Sequence, residues 1–147
     1  MLSKEQVMRL HERMIYDTGG LGGVRDEGSL ESALASPFQR FEGGELYPTA
    51  LEKIVRVVFC LIDSRPFFDG NKRIGTCVLL VLLELNQIVA DFDDDALVNI
   101  GMGVAAGKID EGHLHELIAR QIPKPAKTGL WLCEQEGGYG TQSLAEL

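Results

Sequence analysis

Long apolar runs are missing from this 147-residue chain. The longest strictly apolar run, Cys77 to Leu83, stops at Glu84, far short of the ~20 residues that span a bilayer. The opening residues Met1-Leu2-Ser3-Lys4-Glu5 lack the apolar centre of a signal peptide. Positive charge is scarce: 14 Lys and Arg stand against 22 Asp and Glu, a net charge of −8. Coating nucleic acid or an anionic membrane needs the opposite balance. Cysteine is sparse too. Three are present, and Cys60, Cys77 and Cys133 form no C-x-x-C pair, which argues against a disulfide framework or a zinc site. These absences predict a cytoplasmic protein with neither nucleic acid nor membrane as partner.

What is present reads as helix. The length suits one domain that buries its own core. Ser3 and Gln6 form a capping box ahead of Val7, Leu10, Met14 and Ile15, so a first helix is expected to run to about Asp17. Ser29 is read as the cap of a short helix ending near Ala35, before Pro37. Phe38 to Tyr47 is a loop or small hairpin. Thr49 and Glu52 form a second capping box, opening a helix apolar nearly all round from Leu51 to Ile62. Ile74 to Leu85 is similar, with Asn86 as its C-cap. Two such helices joined by a short loop pack antiparallel as a central hairpin. Helices over about 94–106 and 111–121, the latter capped by Asp110, complete the expectation: an all-α, compact bundle of about six helices around a buried central hairpin. The domain is placed at 1–122, and 123–147 is set apart as a C-terminal tail in which Leu130-Trp131-Leu132 is apolar enough to dock.

Three local patterns are given their plainer meaning. Gly19-Gly20-Leu21-Gly22-Gly23 is read as a flexible turn, because no strand precedes it and no Gly-Lys-Ser/Thr follows. Asp91-Phe92-Asp93-Asp94-Asp95 lacks the glycine and closing glutamate of a calcium loop, so its acids are read as helix-capping. His113 and His115, two apart on a helix, do not share a face.

The stretch that carries chemistry is Arg65-Pro66-Phe67-Phe68-Asp69-Gly70-Asn71-Lys72-Arg73. It opens onto the N-terminus of a buried helix, where free N–H groups and the helix dipole favour an anion. Gly70 lets the backbone approach a ligand. Asn71, Lys72 and Arg73 add donors suited to phosphate oxygens. Asp69 is a hard oxygen ligand suited to Mg²⁺ accompanying that phosphate. Phe67 and Phe68 anchor the loop in the core. The competing reading is a mere turn and N-cap followed by a solvated first turn. Two consecutive cations against the dipole favour a ligand.

This stretch resembles the signature of the Fic/Doc family, His-x-Phe-x-(Asp/Glu)-Gly-Asn-(Gly/Lys)-Arg, at Phe67, Asp69, Gly70, Asn71, Lys72 and Arg73. It is closest to the Doc (death-on-curing) branch, which carries lysine where Lys72 stands. Segments around Gly22–Asp26, Leu30–Leu34 and Glu45–Thr49 add to the likeness, which covers roughly Leu2 to Ile122. The resemblance implies a toxin of a bacterial toxin–antitoxin pair that binds ATP and transfers its γ-phosphate to a threonine of elongation factor Tu. Asp69 would hold Mg²⁺, and Gly70, Asn71, Lys72 and Arg73 would grip the nucleotide phosphates. A cognate antitoxin would dock a segment as a helix near the site.

The departure from the pattern is at Arg65, which stands where the family has its general-base histidine. Arginine keeps its proton and has no lone pair to accept another. A chain that binds nucleotide but transfers phosphate poorly or not at all is therefore expected. His11, His113 and His115 lie far off in sequence. Fic-type AMP transfer is one alternative, disfavoured by Lys72. A non-catalytic module that binds nucleotide or antitoxin is another. The inhibitory pattern of some Fic proteins places Ser or Thr four residues before a Glu-Gly or Glu-Asn pair. Here Glu27, Glu42, Glu111 and Glu136 begin such pairs, with Gly23, Phe38, Gly107 and Leu132 at the earlier place, so inhibition is expected in trans.

Overall fold

The computed structural model describes residues 1–123. Six helices dominate: α1 (Lys4–Thr18), α2 (Glu27–Ala35), α3 (Ala50–Ser64), α4 (Asn71–Leu85), α5 (Asp94–Ala105) and α6 (Glu111–Arg120). A 3-10 turn at Ser36–Phe38 follows α2, and a two-stranded ribbon, β1 (Arg40–Phe41) and β2 (Gly44–Glu45), precedes α3. The expected all-α bundle is the observed fold. The expected tail, 123–147, lies outside the described residues beyond Pro123.

Each boundary has a local cause. Ser3 and Gln6 close the capping box of α1, and Thr49 and Glu52 that of α3. Asp93 accepts from the Ala96 N–H at 2.7 Å and caps α5, with Asp94 and Asp95 in its first turn, as the acids of that stretch predicted. Asp110 caps α6 through the His113 N–H at 2.8 Å. One cap differs from expectation. Asp26, not Ser29, caps α2: its carboxylate accepts from the Ser29 N–H at 3.1 Å and the Ser29 hydroxyl at 2.9 Å. A carboxylate three residues upstream outcompetes the hydroxyl because it also satisfies the helix dipole. The ribbon turns through Glu42 and Gly43, with φ of 50° and 82°. Two consecutive left-handed residues match the twist of a tight hairpin.

The core is built on α3 and α4. Ile54, Val58, Leu61 and Ile62 of α3 and Ile74, Val78, Leu79 and Leu82 of α4 are fully buried, with Val7, Leu30, Ile100, Leu114 and Ile118 from the surrounding helices packed on them. Gly75 permits the close approach near the connecting loop, because a Cβ there would collide with Ile62 Cγ1. The central hairpin therefore delivers loop 65–70 to one end of the bundle.

Filling that contact overpacks the core. Gly75→Val is expected to lower stability by about 1–3 kcal/mol, read as a drop in the denaturant midpoint with unchanged slope.

Candidate functional site

Loop 65–70 is fastened at several points. Phe67 is 1% exposed, and its ring stacks on His11 with centroids 3.8 Å apart and planes 10° from parallel. His11 is 1% exposed and sits 2.8 Å, through Nε2, from the Asp69 carbonyl. The carbonyl can only accept, so the ring donates from Nε2. Asn71 spends both ends of its amide on Phe67, Oδ1 accepting from its N–H and Nδ2 donating to its carbonyl, each at 3.0 Å. Arg65, the C-cap of α3, has left-handed backbone at φ 51° and ψ 61°. Its carbonyl accepts from Arg25 Nε at 2.9 Å and Nη2 at 2.5 Å, and Arg25 Nη2 also reaches the Ser64 carbonyl at 3.0 Å.

The glycine-rich segment 19–23 is part of this fastening rather than a free turn. Phe68 N–H donates to the Gly23 carbonyl, and the N–H groups of Arg25 and Asp26 donate to the Pro66 carbonyl at 2.7 and 3.0 Å. Val24 and Phe67 pair as an isolated antiparallel bridge. Leu21 N–H donates to Asp69 Oδ2 at 3.1 Å. Gly20 makes this contact possible: it has φ of 120°, and a Cβ on it would fall 2.7 Å from Asp69 Oδ2.

Asp69 Oδ1 accepts from the Gly70 N–H at 2.8 Å and lies 3.7 Å from Arg73 Nη2. These bonds hold its carboxyl below the usual carboxylate range. The Leu21 N–H has the largest effect and the Gly70 N–H the next, with the charge of Arg73 adding to them. The side chain stays 47% exposed, so an ionised carboxylate faces outward. Gly70 has φ of 76°, and a Cβ on it would meet Met14 Cε at 2.8 Å.

The α4 N-terminus begins at Gly70 without a side-chain cap, whereas α1, α2, α3, α5 and α6 all have one. Ile74 N–H is bonded back to the Gly70 carbonyl at 2.8 Å, so the N–H groups of Asn71, Lys72 and Arg73 belong to the open first turn. No acid stands in that turn. A cleft of about 270 Å³ opens in front of it, lined by Arg65, Phe68, Asp69, Gly70, Asn71 and Lys72 together with Ile62 and Ala105. Arg65 crosses this cleft to donate from Nη2 to the Ala105 carbonyl at 3.3 Å.

Five of the sequence-selected polar or glycine positions therefore converge: Arg65, Asp69, Gly70, Asn71 and Lys72. Phe67 anchors the loop as expected, whereas Phe68, also expected to anchor it, is 55% exposed and lies outside the core. Arg73 does not line the cleft: its Nη2 stays beside Asp69, while Nη1 donates to the Thr18 hydroxyl at 2.5 Å and the Gly19 carbonyl at 3.0 Å. The fastening roles of His11 and Arg25 are not visible in the sequence, where His11 stands only as a distant histidine and Arg25 only within the Gly22–Asp26 segment. The thiols of Cys60 and Cys77 are pushed up by burial, so neither is a ready nucleophile. Among the described residues no helix is long and apolar enough to cross a membrane.

With the geometry in place, comparison with known proteins is direct. The Fic/DOC family model matches residues 1–83, a span containing the whole loop and most of α4, and the chain belongs to that family. It is 33% identical over 94 residues to Toxin Doc of Mycolicibacterium smegmatis, covering 63% of this chain and 72% of that one. It is 26% identical over 119 residues to Protein kinase doc of Escherichia phage P1, covering 81% of this chain and 93% of that one. Both relatives lie on the Doc side of the family.

The lowered Asp69 carboxyl has a pH consequence. An unfolded aspartate titrates near ~3.9, so the ionised folded group adds stability that is complete above that value. The contribution fades as pH falls through the lower folded value. In denaturant melts taken across this acid range, Asp69→Asn is expected to remove part of the fall in stability seen in the unsubstituted protein.

Proposed function

We propose that this protein is a Doc-type toxin that binds ATP and Mg²⁺ at the mouth of the α3–α4 hairpin. The observation supporting this most is the uncapped α4 N-terminus, which pairs open N–H groups with Lys72 and Arg65 around an ionised Asp69. Phosphate oxygens take the N–H groups of the first turn and the Lys72 ammonium. Asn71 serves by holding the loop shape, its amide being committed to Phe67. Arg73 reaches phosphate only by leaving Thr18 and Gly19. Mg²⁺ fits Asp69, since this ion is commonly held by one or two carboxylates plus the phosphates of its substrate. The ion would neutralise phosphate charge.

The transferred group in this reading is the γ-phosphate of ATP, and the acceptor a protein hydroxyl such as a threonine of elongation factor Tu. Transfer needs a base for the hydroxyl proton. Arg65 cannot serve, and His11 is buried with Nε2 committed to the Asp69 carbonyl. Base catalysis is worth ~10²–10⁴ in rate, so the chain is expected to bind ATP and transfer phosphate poorly. Arg65 also favours a second reading, a nucleotide-binding module without transfer.

Calorimetric titration is expected to show Mg²⁺-dependent ATP binding that Lys72→Ala weakens by about 10–100-fold, the value of one charged hydrogen bond. Arg65→His is expected to arrest growth on expression where the present chain does not. In that background, label from the γ-phosphate, not the α-phosphate, is expected on the acceptor. Equal arrest by both chains contradicts the impairment, and α-label transfer points to AMP transfer instead.

Control is proposed in trans, by an antitoxin that docks a helical segment near the cleft. Native mass spectrometry of the chain co-expressed with its genomic neighbour is expected to show a complex. A chain that remains alone under those conditions counts against this.

A further inference from the structure

Helix α5 buries Ile100 and Val104 in the core and leaves two large apolar side chains outside it. Val98 is 55% exposed and Met102 56% exposed, and residues four apart share a helix face. Both border a groove of about 210 Å³ between α4 and α5. Its walls are Leu97, Val98, Gly101 and Met102 of α5 and Lys72, Arg73 and Thr76 of α4.

This groove begins where the cleft ends. Lys72 lines both. Gly101 lies against Lys72, since a Cβ on it would fall 3.3 Å from Lys72 Cβ, and Ala105, one turn later in α5, lines the cleft. Thr76 stands one turn beyond Lys72, so the groove runs roughly 6 Å along α4 away from the open first turn. Its chemistry differs from that of the cleft. The α5 side chains in it carry neither charge nor hydrogen-bond donor. The Thr76 hydroxyl donates to the Lys72 and Arg73 carbonyls at 3.3 and 3.0 Å, so its proton is spent. The cations Lys72 and Arg73 stand only at the cleft end.

An apolar slot joined to a cationic cleft matches a ligand with a flat apolar ring at one end and phosphates at the other. A partner helix needs anchors spread over two turns or more, and this slot is about one turn long. We propose that it takes the adenine ring of ATP, with Val98 and Met102 against the ring and the γ-phosphate at the first turn of α4. The inference rests on the nucleotide reading above and adds the residues that hold the base. Lys72 stands at the junction, beside the phosphates. The polarisable thioether of Met102 suits contact with an aromatic ring.

Calorimetric titration of the full chain with ATP and with inorganic tripolyphosphate, both in Mg²⁺, separates the two ends of the ligand. Met102→Ala and Val98→Asn, at exposed positions, are each expected to weaken ATP by about 10-fold, which is the worth of burying roughly 55 Å² of apolar surface. Neither is expected to change tripolyphosphate binding. In the unsubstituted chain, the assigned Met102 methyl resonance is expected to move under the ring current of bound ATP and to stay in place with tripolyphosphate. If both variants lose helical circular dichroism, this resonance decides alone. ATP binding indifferent to both variants, or an equal loss for both ligands, overturns the proposal. Binding of tripolyphosphate without ATP overturns it and spares the phosphate cleft. Failure of both ligands to bind overturns the nucleotide reading and the base slot together.

Discussion

The stack of His11 on Phe67 is the contact on which the site depends. A loop leading into a helix N-terminus has little reason to hold one shape, because its backbone groups prefer water or a ligand. Here a buried aromatic ring is pinned face to face against a buried imidazole, and the same imidazole holds the Asp69 carbonyl. One side chain of α1 thus fixes both the depth of the loop and the direction in which the Asp69 carboxylate leaves it. The turn at Gly70 and the open N-terminus of α4 follow from that placement.

A second layer of fastening comes from segment 19–26. Its carbonyl and N–H groups pair with Pro66 and Phe68, while the Arg25 side chain closes over the last carbonyls of α3. The last turn of a helix exposes unsatisfied carbonyls and a partial negative charge, which a guanidinium meets on both counts. Anion-seeking N–H groups at the start of α4 and cation-seeking carbonyls at the end of α3 lie one short loop apart. The chain satisfies the second from within and leaves the first open.

Much of this was legible in the sequence, and the divide follows range. Caps and periodicity act over three or four residues, so α1, α3, α4, α5 and α6 could be read with boundaries close to those observed. Loop 65–73 was legible because its chemistry is contiguous. Contacts across long separations were not. His11 and Asp69 lie 58 residues apart, and Leu21 and Asp69 lie 48 apart. A histidine on an apolar helix face and a run of glycines announce nothing about where they end up. The cap of α2 differs from expectation for a smaller reason: Asp26 and Ser29 both suit a cap, and the charge of Asp26 at the helix dipole favours the earlier start.

The backbone at position 65 has one more implication. Its φ of 51° and ψ of 61° lie in a region that L-residues seldom enter, and among those that do, asparagine, aspartate and histidine are over-represented. Arginine is not one of them. The twist that ends α3 is thus the one an imidazole-bearing residue tolerates well, and it is held in place by Arg25 whatever side chain projects from it. For the backbone, histidine suits position 65 at least as well as arginine; the two differ in that a neutral imidazole can accept a proton and a guanidinium cannot.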